Sequence, residues 1–509
     1  MLEVLAKKIP FHNLANSSVE NLLILLTTLL VGVFIYSRTR RRGNYPPGPI
    51  GLPLVGYVPF LGSEPHKTFV KLARKYGDIF SVYLGSKHTI ILNEYSVMKE
   101  TVTHPAALDR APNIFDHLPL AGFIKANGEE WVEQRRFCLF ATRDLGLGRG
   151  PWENLIMEEV TAFTKQLESF QGHPTEISHN LSSSISSNII SLLIGRRLDK
   201  EREAEKIQIS VQHSDVAFTF NGPSNIASVM PWLRKYLEFF KIAGYDRAAK
   251  AISKFDSFIK EEVARHKTSL DYRNVHDFIN TYREKMSEVL PSEKIKHYFT
   301  EENLEGNLNI LFLGASDTIF SSLTWLFRLM AKHEDVQEKC YTEIMDVLGK
   351  EGVARYSERQ KVPYTFAVIM ESQRFSSIVP LSTTRLANND FTIKDYTIPK
   401  GAEIVANLWA LHNDPKYWKE PEKFIPERFL TNNGSTLVKN PPSYAPFSLG
   451  RRNCPGETIA WMEILSYFTE ILKKFKISPQ PGAKLNFTVI NGLVARLEPQ
   501  SLCFEARSV

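Results

Sequence analysis

Apolar and polar positions divide the chain into an apolar N-terminal run, a long helix-rich middle and a strand-bearing C-terminal part. Residues 22–36 (LLILLTTLLVGVFIY) are almost wholly apolar, and no charge falls between positions 21 and 37. The run is shorter than the roughly twenty residues of a spanning helix, and its uncharged flanks extend it. Arg38, Arg40, Arg41 and Arg42 follow, which predicts that this side stays in the cytosol. The alternatives are a cleaved signal and a buried core helix. Cleavage is disfavoured, since Tyr36 and the arginines stand where a small-residue site would be needed. The expected layout is a lumenal segment over 1–20, a signal anchor over 21–37, a basic and proline-rich connector over 38–60 and one body over 61–509. Asn16 opens a glycosylation sequon that this orientation would place in the lumen.

Residues 45–56 (YPPGPIGLPLVG) carry too many prolines and glycines for a helix and predict a stiff extended connector. A helix is expected over 66–76, then strands over 79–84 and 88–92 joined by a Gly-Ser turn. Helices dominate from there to about residue 378. The longest proline-free tract, 292–362, contains the largely apolar run 308–313, which predicts a buried central helix. Strands return at 383–386, 391–393 and 403–407, with IPKG at 398–401 as turn chemistry, and the tail over 485–505 is again strand-like. The fold class is mainly α with a small β region.

Charge and cysteine usage narrow the partners. Six basic and two acidic side chains in the first 45 residues give +4 of the total +6, leaving +2 for the remainder. A nearly neutral body gives no reason to expect a nucleic-acid partner. The four cysteines, Cys138, Cys340, Cys454 and Cys503, lack CxxC or zinc spacing, so neither a disulfide framework nor structural zinc is indicated.

One cysteine stands apart. Residues 447–456 (FSLGRRNCPG) place Cys454 behind a glycine-bearing turn at the mouth of an expected helix. A metal-ligand thiolate needs a low pKa and amides aimed at its sulfur, and Arg451, Arg452 and the helix end after Gly456 are candidates to supply both. A buried structural cysteine is the plain alternative. The pattern Phe447, Gly450, Arg452, Cys454, Gly456 resembles the haem-binding loop of the cytochrome P-450 monooxygenases. The resemblance implies haem b with Cys454 as axial ligand, Phe447, Arg452 and Gly456 as cofactor contacts, and a triangular helical body around a buried haem.

Further patterns agree with it along the chain. In the central helix, Gly314-Ala315-Ser316-Asp317-Thr318 sets an acid and a hydroxyl near a small residue. It resembles the family's oxygen-activation segment, which assigns Thr318 and Asp317 to proton delivery; the usual Ala-Gly order is reversed here to Gly314-Ala315. Glu371 and Arg374 form an i,i+3 pair, and the resemblance joins them with Arg428 in a buried structural network. Trp131 and Arg135 share a helical face, and by resemblance they, Arg385 and Arg452 contact the haem propionates; Thr384 stands where many microsomal relatives have His.

The resemblance spans nearly the whole chain and is nearest the microsomal branch that oxidises drugs, fatty acids and steroids. It implies insertion of one atom of dioxygen into an apolar substrate. With no GxGxxG fingerprint in the chain, electrons are expected from an NADPH-dependent flavoprotein reductase, with cytochrome b5 as a further candidate donor. The endoplasmic reticulum membrane is the implied location. Alternatives of the same fold are a reductase-independent isomerase or dehydratase, against which the Asp317-Thr318 pair argues, and a non-catalytic haem sensor. By analogy the substrate pocket takes in Ile114, Phe115, Phe218, Phe312, Ala315, Ile378, Val379, Leu493 and Val494.

Overall fold

A computed structural model describes residues 43–507, apart from 113–121, 146–149, 221–229, 231–232, 269–276, 290–296 and 432–433, together with Thr28 and Gly32. The expected anchor over 21–37 therefore lies outside the described residues but for those two positions, as does the sequon at Asn16.

The chain is mainly helical with small sheets. Helix α1 (Pro65–Tyr76) leads into the hairpin β1 (Ile79–Leu84) and β2 (Lys87–Leu92), then α2 (Tyr95–Thr103) and the short strand β3 (Asp109–Arg110). Helices follow: α3 (Gly128–Asp144), α4 (Gly150–Ser169), α5 (Ser178–Ile194), α6 (Ala204–Phe220), α7 (Arg234–Phe239), α8 (Tyr245–Thr268) and α9 (Phe278–Glu288). The central α10 (Glu301–Lys332), α11 (Glu334–Leu348) and α12 (Pro363–Ser376) complete the run. The last part holds β4 (Arg385–Leu386), β5 (Phe391–Ile393), β6 (Tyr396–Ile398), β7 (Glu403–Ala406), α13 (Leu408–His412), α14 (Glu457–Lys474), β8 (Phe475–Pro479), β9 (Val489–Asn491), β10 (Ala495–Leu497) and β11 (Leu502–Ala506).

The main sheet has the order β1-β2-β7-β4-β3. Gly85, at φ 60°, turns the β1–β2 hairpin, while β2 and β7 run parallel with Ile90 opposite Ile404. Strand β3 pairs antiparallel with β4, which sets Arg110 opposite Arg385. The expected strand over 383–386 is shorter than its β-prone run, because only Arg385 and Leu386 find a partner on each side.

The central helix expected within the proline-free tract is α10, which parts from α11 at His333. Helix α10 begins at Thr300, whose hydroxyl accepts the Asn303 amide at 3.2 Å, with Glu301 and Glu302 favouring its positive end. Among the described residues it is the one helix apolar and long enough to cross a membrane, and its burial marks it as a core helix. The loop before α3 comes close to it: a Cβ at Gly122 would lie 2.6 Å from the Gly306 carbonyl carbon, and φ there is 98°. The Phe123 amide donates to Asn307 Oδ1 at 2.8 Å, which locks that loop to the central helix.

Helices α4, α5 and α14 enclose a buried polar group. Ser184 donates to Glu159 at 2.9 Å and meets the Tyr467 hydroxyl at 2.8 Å, while Asn188 Nδ2 donates to Glu463 Oε1 at 3.1 Å. Glu463 is fully buried, its Oε2 has no partner, and burial followed by repulsion from Glu159 pushes its carboxyl well above the usual range. Such a carboxyl is neutral when folded but ionises in the unfolded chain above about pH 4.5, so stability falls as pH rises from there towards the folded value. Glu463→Gln is therefore expected to stabilise the protein by about 1 kcal/mol or more at pH 7 and hardly at all at pH 4. Thermal unfolding across that range checks it.

Candidate active site

The Cys454 loop is held by its own backbone. The Cys454 amide donates to the Phe447 carbonyl at 2.9 Å, and the Phe447 ring stands edge-on to Trp461 of α14, centroids 5.0 Å apart. Gly450 has φ 75°, and a Cβ there would lie 2.6 Å from the Val102 carbonyl oxygen, so conformation and space both demand glycine. The thiol opens onto a cavity of about 430 Å³. Gly456 lies beside the sulfur, where a Cβ would make an ordinary contact 3.8 Å from Sγ.

Although the Cys454 thiol is exposed to the cavity, the protein enclosing it pushes it up to about 11, and Glu457 adds to the rise; the Gly456 amide and Arg135 act the other way. Arg451 and Arg452, expected to lower that pKa, do not face the sulfur. Their guanidinium carbons lie 5.5 and 4.0 Å from the centroid of the Trp131 ring. A thiol of this kind gives up its proton when it takes a metal.

Across the cavity runs α10, contributing Gly314, Ala315, Thr318 and Ile319 to its wall. The Thr318 hydroxyl donates to the Gly314 carbonyl at 2.7 Å, and a Cβ at Gly314 would meet nothing within 4 Å, so this face of the helix is open. Asp317 is one position, about 100°, further round the helix, and is not among the described lining residues. Its carboxylate is fully buried and pairs with Arg496 of β10. Burial pushes Asp317 up to about 6, against the pull of Arg496.

The side of the cavity towards α3 is cationic. Arg110, Arg135 and Arg452 line it, with Arg385 behind. Burial, with repulsion from neighbouring arginines second, lowers Arg385 to about 10 and Arg452 to about 9 and puts Arg110 well below its usual range, and burial also lowers Arg135. A guanidinium stays charged, so the cluster calls for an anion. Among the described lining residues the one carboxylate is Glu403, already paired with Lys87 at 2.7 Å. Trp131 Nε1 and Arg110 Nε are buried without a partner.

The four arginines are not equivalent. Arg135 Nη2 donates to Asn453 Oδ1 at 2.7 Å and faces the cavity. Arg452 is bound to the Leu108 carbonyl at 2.8 Å and the Ala126 carbonyl at 2.7 Å while stacking on Trp131. Arg385 is not among the lining residues; its arms donate to the carbonyls of Val102 at 2.8 Å and Leu449 at 3.0 Å, tying α2 to the cysteine loop. Arg110, which no local spacing singled out, reaches the cavity because β3 pairs with β4, and its Nη1 donates to the Thr383 carbonyl at 2.9 Å.

Behind the cysteine loop, Glu371 accepts from Arg374 at 2.7 and 2.8 Å, from Arg428 Nε at 3.2 Å and from the Ile425 amide at 2.8 Å. Arg374 also donates to the His412 carbonyl at 2.7 Å, so α12 is joined to the last residue of α13. Of the expected pocket residues, Ala315, Ile378, Val379 and Leu493 line the cavity. Val494 instead packs with Leu313 and Trp325, and Phe312 is buried against Phe255 with centroids 4.6 Å apart. Ile114, Phe115 and the side chain of Phe218 lie outside the described residues.

A thiol at one wall, guanidiniums without a carboxylate at another and an orphaned indole N–H fit a ligand that brings both a metal and anionic arms, as an iron porphyrin with two propionates does. Fold and site together define a haem-thiolate protein. The family model for cytochrome P450 matches residues 46–504, and the chain belongs to that family, whose members bind haem through a cysteine thiolate and are generally monooxygenases. It is 30% identical to cytochrome P450 2F3 of Capra hircus, over 96% of this chain and 100% of that one. It is 31% identical to cytochrome P450 2J1 of Oryctolagus cuniculus, over 94% and 95%, and 30% identical to cytochrome P450 2J2 of Homo sapiens, over the same shares.

Proposed function

We propose that this chain is a monooxygenase that inserts one atom of dioxygen into a small apolar substrate, a fatty acid, steroid, terpenoid or xenobiotic, and releases the other as water. The observation that carries it is the single cavity with Cys454 on one wall and the open Gly314–Ala315–Thr318 face of α10 on the other. Haem bound there supplies the redox chemistry that activates dioxygen, with the Cys454 thiolate donating electron density.

The chain's own residues do the rest. Arg110 and Arg135, which line the cavity, would meet the two propionates, while Arg452 beside them and Arg385 behind brace the adjoining loops. Ile310, Ile378, Val379 and Leu493 exclude water and hold an apolar substrate. Thr318 presents a hydroxyl to the reacting end, and Asp317, one position round the helix and turned from the cavity, serves the proton relay at a distance rather than by direct contact. Two electrons come from NADPH through a flavoprotein reductase, and cytochrome b5 is a second candidate donor.

Seating on the endoplasmic reticulum membrane is supported by exposed apolar side chains in two neighbouring segments. Leu54 is 77% exposed and Phe239 is 79% exposed, with Phe60, Tyr236 and Phe240 also open. Met230 and Leu233 share a packed cluster with Val55, Tyr57 and Val58, so the two segments lie side by side and form a surface suited to lipid. A haem-loaded preparation with purified NADPH-dependent reductase is expected to consume NADPH and hydroxylate at least one member of a panel of fatty acids, steroids and terpenoids. NADPH-independent conversion of a lipid hydroperoxide would instead favour an isomerase or dehydratase.

A further inference from the structure

Arg496 of β10 takes no part in the cysteine end of the cavity, yet it joins carboxylates from two different helices. One arm pairs with Asp317 Oδ1 on α10; the other donates to Asp215 Oδ1 on α6 at 2.7 Å. Side-chain exposure falls from 53% at Asp215 through 16% at Arg496 to 0% at Asp317, so the guanidinium links the outer face of α6 to the buried acid. The guanidinium carbon lies 5.7 Å from the Phe320 ring centroid.

The strand that carries Arg496 is clamped. Ala495, immediately before it, accepts the Trp325 indole N–H at 3.1 Å and donates its amide to the Ile378 carbonyl at 2.6 Å. Trp325 belongs to α10 and Ile378 lines the cavity, so Arg496 cannot move far without disturbing both. Its register partner Ile490 on β9 fixes the other side.

We propose that Arg496 is a positioning residue for the proton-delivering acid: it holds the Asp317 carboxylate in place, and its second bond makes that hold depend on Asp215 and hence on the seating of α6. The proposal deepens the monooxygenase reading and rests on it. A buried carboxylate without a cation reverts to its neutral form, whereas one fixed by a guanidinium stays charged and oriented. Two carboxylates sharing one guanidinium compete for it. Arg496 from β10 and Asp215 from α6 are the charged groups that act on Asp317 among the described residues, the first favouring its ionised form and the second opposing it.

The two partners predict opposite effects, which a loosened fold would not give. In the haem-loaded full-length protein, the infrared band of the protonated Asp317 carboxyl, assigned by its absence in Asp317→Asn, is followed against pH. Arg496→Met is expected to raise its midpoint by about one unit or more. Asp215→Asn is expected to lower it, since the guanidinium then serves Asp317 alone. Should Arg496→Met fail to fold, Asp215→Asn, which alters a half-exposed group, still decides the matter. A midpoint unmoved or raised in Asp215→Asn overturns the proposal. The band needs no turnover, so absence of product with the reductase is scored separately as failure of the monooxygenase reading.

Discussion

Replacing Glu371 with alanine is expected to abolish the accumulation of folded, haem-loaded protein. Among the described residues the carboxylate is the counter-ion drawn on by both Arg374 and Arg428, and it also accepts the Ile425 amide. Arg374 and Glu371 are fully buried, so the substitution strands a charge with no water to solvate it. Breaking a buried pair in this way costs roughly 3–5 kcal/mol, a large part of the 5–15 kcal/mol by which a typical domain is stable. Soluble yield and the haem-to-protein ratio measure the loss. Arg428→Lys is expected to lose less, because Arg428 is partly exposed and meets Glu371 at the longer distance of 3.2 Å.

Thr318→Ala is expected to lower product formed per NADPH consumed by on the order of 10²-fold, while haem content and NADPH consumption change little. The hydroxyl's structural bond is to the Gly314 carbonyl within the same helix, so its loss leaves the fold intact. The electrons are then diverted to free hydrogen peroxide. Thr318→Ser, which keeps the hydroxyl, is expected to recover most of the coupling. Product and peroxide, quantified together in the reductase-coupled assay, distinguish this from loss of substrate binding, which would slow NADPH consumption as well.

The parts of the site that were legible in the sequence are those built from neighbours. The Cys454 loop is a continuous ten-residue segment, and the Glu371–Arg374 pair meets at i,i+3 on α12 as helical spacing requires. Trp131 and Arg135 both reach the cavity from α3 for the same reason. Arg110 was not legible, because only the pairing of β3 with β4, across 275 positions, brings it beside Arg385. Adjacency also misled where a side chain had a better partner than its neighbour: Arg451 and Arg452 precede the cysteine but lie over Trp131. Asp317 and Thr318 are consecutive, yet a helix turns them apart, one to the cavity and the other to an arginine 179 positions away.

The most direct test of haem-thiolate ligation is the absorption spectrum of the dithionite-reduced protein under carbon monoxide, wild type beside Cys454→Ser. A Soret band shifted strongly to the red in the wild type and lost in the variant is the predicted result. Failure to take up haem, or a band that the substitution leaves unchanged, would contradict Cys454 as the ligand and the monooxygenase function with it.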